Sequence, residues 1–245
     1  MRLNYKYTFI FFYILSVIIL VSSFYFFNTV TNESSVNNIT NNNFKNIIKE
    51  KEKYTKDFIY SYQSTIDALI KNKSFKNYIN NKEDKKNSAE LFLTFLRASS
   101  YISQIRYIDI TGKEQIRVEN SNLSNYTNVD DSKIIPDEKL QNKSNREYFK
   151  DFIQLKKYEI GISQINLNKE FGKIIKPKMP IVRVAKIVLD KNFNKKGFIV
   201  LNISLDNFLL NLKENPLYNI YLVDDEGRFI IHPNHDYDIY SDKFD

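Results

Sequence analysis

Apolar residues gather first in one uninterrupted run. From Tyr5 to Phe27 the chain carries a single charge, Lys6, at its edge. As a helix, the stretch from Tyr7 onward spans roughly 30 Å, the thickness of a bilayer core. The pattern predicts one membrane crossing over residues 7–27. Arg2 and Lys6 precede the run and few basic residues follow until Lys45, so residues 1–6 are read as cytoplasmic and everything after Asn28 as outside. A cleaved signal peptide is the competing reading. The apolar run is longer than the core of such a peptide and no small-residue cleavage site follows it, so an uncleaved anchor is preferred.

Beyond the run the period changes to that of an amphipathic helix. Residues 28–43 are polar and Asn-rich, the start of a juxtamembrane helix. From Phe44 the positions Ile47, Ile48, Tyr54, Phe58, Ile59, Tyr62, Ile66, Leu69 and Ile70 mostly recur at three-and-four spacing without Pro or Gly. One long helix is predicted, packing on its own domain or pairing with a second copy. A second helix is expected over 88–100 with Ser88 as its cap. Residues 28–100 thus form a juxtamembrane and helical segment.

At Tyr101 the pattern switches to strand: YISQIRYIDI, a turn at Thr111 and Gly112, then EQIRVE. Ile108-Asp109-Ile110-Thr111-Gly112 recurs as Val223-Asp224-Asp225-Glu226-Gly227, with the two glycines 115 residues apart. Each reads as a hairpin in which Asp and Gly supply the turn geometry. The repeat suggests two modules in series. The first is expected over 101–205; residues 206–245 hold a connecting helix over 206–214 and the opening of the second. The fold class is therefore α+β: a transmembrane helix, a long amphipathic helix, an antiparallel sheet module with flanking helices, and the start of another.

Candidate chemistry concentrates between Leu140 and Asp206. Ser144 and Glu147 have capping-box spacing, which places Arg146 in a first helical turn. Free N–H groups and a guanidinium there favour an anionic group, and Tyr148 and Phe149 add ring surface. Residues two apart on a regular helix diverge by about 200°, so Arg146 and Tyr148 can share a pocket only if that turn is irregular. A surface salt bridge for Arg146, and core packing for Tyr148 and Phe149, are the alternatives. Tyr158 and Ser163 in YEIGIS could line the same cavity. In MPIVRVAKIVL, strand parity sets Arg183 on the face of Met179, Ile181, Ala185 and Ile187, as a ligand contact, an internal ion pair or an edge residue reaching water. Asn202 interrupts a semi-apolar face shared with Phe198 and Val200, as a ligand contact or a partner for nearby backbone.

The R-x-Y-F of Arg146, Tyr148 and Phe149, the G-x-x-x-x-N-x-S-L-D from Gly197 to Asp206, and YLVDDEGRFIIHPN near the end resemble the double Cache sensor domain. These PAS-like extracytoplasmic modules occur on bacterial histidine kinases, chemoreceptors and nucleotide cyclases. The resemblance spans about residues 35–245 and implies a small-solute sensor. In its amino-acid-binding branch Arg and the following aromatics hold the carboxylate, while an Asp on the strand matching GFIVLN accepts the ammonium. Asn202 stands at that position, and an amide carries no charge to pair with an ammonium. An organic acid then ranks at least level with an amino acid. The family also implies a completed second module, a second membrane helix and a cytoplasmic output domain, so the sequence is expected to be a fragment of a longer receptor or a truncated gene.

Composition narrows the alternatives. The 245 residues, 42% hydrophobic, suffice for real cores. The net charge of +7 comes from scattered lysines rather than a patch, which argues against nucleic acid. Cysteine is absent, which removes disulfides, thiolate zinc sites and thiol catalysis. His232, His235 and Asp236 could ligate a metal, but HPNH sits at a turn without a further clustered ligand, and the resembling family has His-Pro there without metal. No cofactor is expected. No nucleophile elbow or phosphate loop is seen, so no catalytic residue is proposed.

The combined expectation is a bacterial inner-membrane sensor region with its bulk outside the cytoplasm. It would bind a small carboxylate-bearing solute through Arg146, Tyr148, Phe149, Tyr158, Ser163, Arg183 and Asn202, dimerise through the long helix and signal to a kinase or cyclase. A membrane-anchored assembly protein using that helix without a ligand, or a surface hydrolase, are the readings from other classes.

Overall fold

The computed structural model describes residues 5–81, 83–120, 131–167, 169–170, 173–174 and 178–241, with side chains omitted at 5–12, 169–170 and 173. The chain divides into two compact units, Met1–Lys56 and Asp57–Asp245. Helix α1 (Tyr5–Lys71) begins in the first. The segment from Tyr13 is long and apolar enough to cross a membrane by length and composition. The polar stretch at 28–43 does not interrupt it. The hydroxyls of Thr29 and Thr31 donate back to the carbonyls of Tyr25 and Phe27 at 2.9 and 2.8 Å, so polar side chains are accommodated without breaking the helix.

In the second unit the last turns of α1 bury Tyr62, Ile66 and Leu69. Two helices follow, α2 (Lys73–Asn81) and α3 (Lys85–Arg97). The helix expected from Ser88 therefore starts a turn earlier. Asp84 is left-handed (φ 62°) and makes the break, and its carbonyl accepts from Ser88 N–H at 2.8 Å. Ser88 is thus a buried residue inside α3 and not its cap.

The sheet contains β1 (Ile102–Asp109), β2 (Glu114–Asn120), β3 (Ser132–Ile134), β4 (Gly161–Ile162), β5 (Asn166–Leu167), β8 (Pro180–Leu189) and β9 (Lys195–Ser204). Between β5 and β8 lie two short paired strands, β6 (Lys169–Glu170) and β7 (Lys173–Ile174). Helix α4 (Glu147–Phe152) precedes β4, and α5 (Asp206–Lys213) follows β9. The order is β3-β2-β1-β9-β8-β4, all antiparallel, with β5 also on β8. A separate pair, β10 (Leu222–Val223) and β11 (Phe229–Ile231), follows α5, and a short 3-10 turn at His235–Tyr237 comes after it.

Both faces of the central strands are covered, which is why β8 and β9 read as nearly continuous apolar runs. One face meets the helices: Tyr107 makes edge contacts with Phe75 and Tyr78, and Phe75 packs on Phe92. Lys186, also on this face, reaches Asp67 of α1 at 2.5 Å. The opposite face is divided. Toward α4 it is apolar, with Ile108, Ala185, Phe198 and Val200 packed on Tyr148, Phe149 and Phe152.

Further along the same face the side chains are charged and buried. Arg106 Nε lies 3.3 Å from Glu114, and Arg117 and Lys143 each approach that carboxylate to 3.8 Å. Arg117 also binds Glu119. Fully enclosed, Glu114 accepts the Gln141 N–H at 2.9 Å and donates its own N–H to the Gln141 carbonyl. It therefore ties β2 to the loop that leads into α4.

Three turns share one construction. Asp109, Asp190 and Asp224 each accept, through the side chain, the N–H groups two and four residues on, at 2.8–3.2 Å. The residue three on is left-handed: Gly112 (φ 88°), Phe193 (φ 62°) and Gly227 (φ 78°). Burial pushes the Asp109 carboxyl up, but bonds from Thr111, Gln115 and Lys113 outweigh it and hold it below the usual range. The two Gly-containing turns are the expected repeat; the third lacks a glycine and carries no such signal.

Two substitutions test this architecture. Gly197 has φ 139° and pairs with Asp109, and a Cβ there would lie 2.0 Å from the Ile108 carbonyl oxygen. Gly197→Ala should cost at least about 2 kcal/mol in denaturant unfolding followed by circular dichroism; an unchanged midpoint would refute the close β1–β9 approach. In the same assay Glu114→Gln should cost roughly 3 kcal/mol, because it strands buried cations. A loss below about 1 kcal/mol would mean that Glu119 alone suffices for them.

Candidate functional site

The approach to α4 is built by hydrogen bonds from the β1–β2 turn. Lys143 N–H donates to the Gly112 carbonyl at 2.7 Å, and Ser144 N–H to Asn142 Oδ1 at 2.8 Å. Gly112 lies so close to Ser144 that a Cβ would meet it at 2.6 Å. Ser144 is consequently held in this loop and does not cap a helix. The residue preceding α4 is Arg146, with extended backbone (φ −83°, ψ 139°) and no side-chain cap. The expected capping box does not form, because the loop is already committed to Gly112 at Ser144, three residues before the helix begins.

That correction removes a geometric obstacle. Arg146 leaves the chain from an extended residue and Tyr148 from the helix, so the 200° divergence of a regular helix does not apply. Both line one cavity of about 780 Å³, with Ser163 and Arg183 on other walls. Arg183 is 5% exposed, and its guanidinium carbon lies 4.8 Å from the centre of the Tyr148 ring, within cation–π range. Tyr148 is 7% exposed and its hydroxyl has no hydrogen-bond partner among the described residues. Ser163 pins this wall to β8: its hydroxyl accepts Arg183 N–H at 3.0 Å, and its N–H donates to the Arg183 carbonyl at 2.9 Å.

The other candidates lie elsewhere. Phe149 is buried in the α4 core, its ring 5.7 Å from Phe198. Asn202 is 1% exposed and stands in register between Arg183 and Gln104. Its amide donates to Gln104 Oε1 at 2.8 Å, and its own oxygen has no partner among the described residues. It does not line the cavity. Tyr158 is 77% exposed, left-handed (φ 74°) and outside it, with Lys157 4.9 Å from its ring.

Several residues were not expected from sequence to line it: Asn145, Glu147, Asp151, Gln164 and Asn166. Glu147 and Asp151 are four apart on α4, a shared helix face that was available as a signal. Gln164 lies in irregular chain after β4, and Asn166 opens the two-residue strand β5, too short for periodicity to mark it. The cavity therefore mixes guanidiniums and carboxylates in polar walls. The far end of α4 is fastened by Lys195, whose ammonium donates to the carbonyls of Ile153 and Leu155 at 2.6 and 2.9 Å.

The histidines near the end of the chain serve the local turn. His232 Nδ1 meets the Asn234 N–H at 3.0 Å, and His235 Nδ1 lies 2.6 Å from Asp238, which also accepts the His232 N–H. Among the described residues no group of three or more His, Cys, Asp or Glu could hold a metal ion.

Comparison with known proteins agrees with this architecture. A domain assigned to a sensory box/GGDEF family protein of Vibrio parahaemolyticus superposes with a TM-score of 0.63 at 23% identity, over 76% of this chain and 68% of that one. The extracellular domain of the histidine kinase vpHK1S-Z8 gives 0.62 at 22%, over 76% and 64%. The sensory domain of the Campylobacter jejuni chemoreceptor Tlp3, with isoleucine bound, gives 0.58 at 13%, over 77% and 69%. At these identities the likeness is one of fold. No curated protein sequence matches the chain. The sensor-domain model of bacterial histidine kinases matches residues 39–241, and the chain belongs to that family of sensor domains.

Proposed function

We propose that this chain is the extracytoplasmic ligand-sensing region of a membrane-anchored bacterial receptor and that its ligand is a small solute bearing a carboxylate. The observation that carries the reading is the buried Tyr148 hydroxyl without a partner, on a cavity also lined by Arg146 and Arg183. A buried hydroxyl left unpaired costs about 1–3 kcal/mol, which a ligand oxygen would recover. Two guanidiniums supply planar donors matched to a carboxylate. Ser163 would hold the wall in place, and Phe149 and Asn202 would support the site from behind. Glu147 and Asp151 at the same cavity restore what Asn202 lacks, a negative charge for an ammonium, so amino acids stand beside organic acids as ligands. The isoleucine held by the Tlp3 domain of the same fold is in keeping with that.

In this reading residues 1–6 are cytoplasmic and 7–27 cross the inner membrane. Residues 28–100 carry the signalling helices, 101–205 the membrane-distal module and 206–245 the opening of a proximal one. The chain spans 64% of the vpHK1S-Z8 domain, and the output, a histidine kinase by family, belongs to the whole receptor. Val36, Ile39, Phe44 and Ile48 are exposed apolar side chains on α1, a surface for pairing with a second copy.

A thermal-shift screen of the full chain in detergent against amino acids and organic acids tests the site. At a hundred times Kd the stabilisation should be about 2.7 kcal/mol, a rise of roughly 5–10 °C. The rise should require the ligand's carboxylate, vanish in Arg146→Ala and Arg183→Ala, and shrink in Tyr148→Phe. A library without any response, or a rise indifferent to both arginines, defeats the proposal.

A further inference from the structure

We infer that a second ligand site lies between α5 and β11 and takes an amino acid with a branched aliphatic side chain, its ammonium on Asp206 and its carboxylate on Lys213 and Tyr240. The cavity there holds about 310 Å³ and is walled by Pro180, Leu209, Ile230 and Ile231. Unlike the first, it is mostly apolar and contains no guanidinium. Its size suits a single small metabolite.

Of three polar groups on it, Tyr240 lacks a hydrogen-bond partner and Asp206 and Lys213 lack an ion-pair partner among the described residues. Tyr240 is 8% exposed, and its hydroxyl has no partner among the described residues. Asp206 is half-buried and bonds the Ser204 hydroxyl at 3.1 Å, with no cation against it among the described residues. Burial raises its pKa, the direction expected of a carboxylate without a counter-charge. Lys213, also half-buried, has no ion pair among the described residues.

The remaining charged groups of the cavity are already engaged. Lys178 donates to the Ser241 carbonyl at 3.2 Å, and His235 and Asp238 bind each other. What is left is one negative group, one positive group and one hydroxyl around an apolar pocket. Asp206 and Lys213 are seven residues apart on α5, so they share a helix face about 10 Å apart along the axis. A short carboxylate and a long ammonium arm can close that span around a zwitterion. The apolar walls select a branched side chain over a polar one, because they bury its methyl groups and leave a polar group without a partner.

Isothermal titration of the full chain in detergent with L-leucine tests this, using an Arg146→Ala/Arg183→Ala background to silence the first cavity. One equivalent should bind. Isovalerate, without the ammonium, and isopentylamine, without the carboxylate, should each bind at least about tenfold more weakly. Asp206→Asn and Lys213→Met should weaken L-leucine by about tenfold or more, and Tyr240→Phe by several-fold. Circular dichroism confirms that each variant is folded. No saturable L-leucine binding in the silenced background overturns the second site, as does binding that ignores Asp206→Asn and Lys213→Met. If L-leucine binds only while Arg146 and Arg183 are present, the first site stands and the second falls. Binding that persists without them, with no ligand found for the first cavity, gives the reverse.

Discussion

Strand β8 is covered on both faces, and the arrangement of everything around it depends on that. A strand alternates its side chains, so a strand buried twice must place successive residues in two different environments. Arg183 goes to the cavity and Lys186, three positions on, to the helix layer. Neither could shift by one residue without exchanging a guanidinium for a valine on the cavity wall. The long register with β9, nine pairs from Ile181 to Leu189, makes such a slip costly.

Charge buried on the cavity side of the sheet has a structural use that a surface reading of the sequence would miss. Glu114 is enclosed by Arg106, Arg117 and Lys143, and its backbone and side chain both engage Gln141. Buried ion pairs seldom add net stability, but breaking one is expensive, which makes them good at enforcing a single arrangement. Here the arrangement enforced is the path of the chain from β2 through Gln141 and Lys143 to Arg146. The contact of Gly112 with Ser144 enforces the same path sterically. Two independent restraints thus fix where Arg146 leaves the backbone.

What the sequence disclosed follows the reach of local rules. The apolar run near the start, the strands either side of Gly112, and α5 were legible because periodicity and turn chemistry act over a few residues. The β8–β9 turn was not, because Phe193 occupies the left-handed position where its two counterparts have glycine. The capping box at Ser144 was a local rule defeated by a contact from more than thirty residues away, which no neighbouring residue announces. Tyr148 and Phe149 are adjacent yet divide between cavity and core, a division that helix geometry allows and sequence spacing leaves open. Asn202 was found as a buried polar interruption, but its engagement with Gln104 depends on β1 pairing with β9 across nearly a hundred residues.

The elements that border the cavity are also those that touch the helix layer. Arg183 and Lys186 sit on one strand, and Lys186 meets Asp67 near the end of α1. Lys195, which fastens the end of α4, begins β9 just past the turn where Lys191 N–H donates to Asn80 of α2. A ligand shifts such a system only by the difference in its affinity for two arrangements, however tightly it binds either. Contacts to a rigid wall alone would therefore transmit nothing. A ligand bridging α4 and β8 does more, because it favours those arrangements in which the two are close, and both are fastened to strands whose other attachments reach α1 and α2. In the proposed reading, a ligand in this cavity would bias the helix layer through the strands that both share.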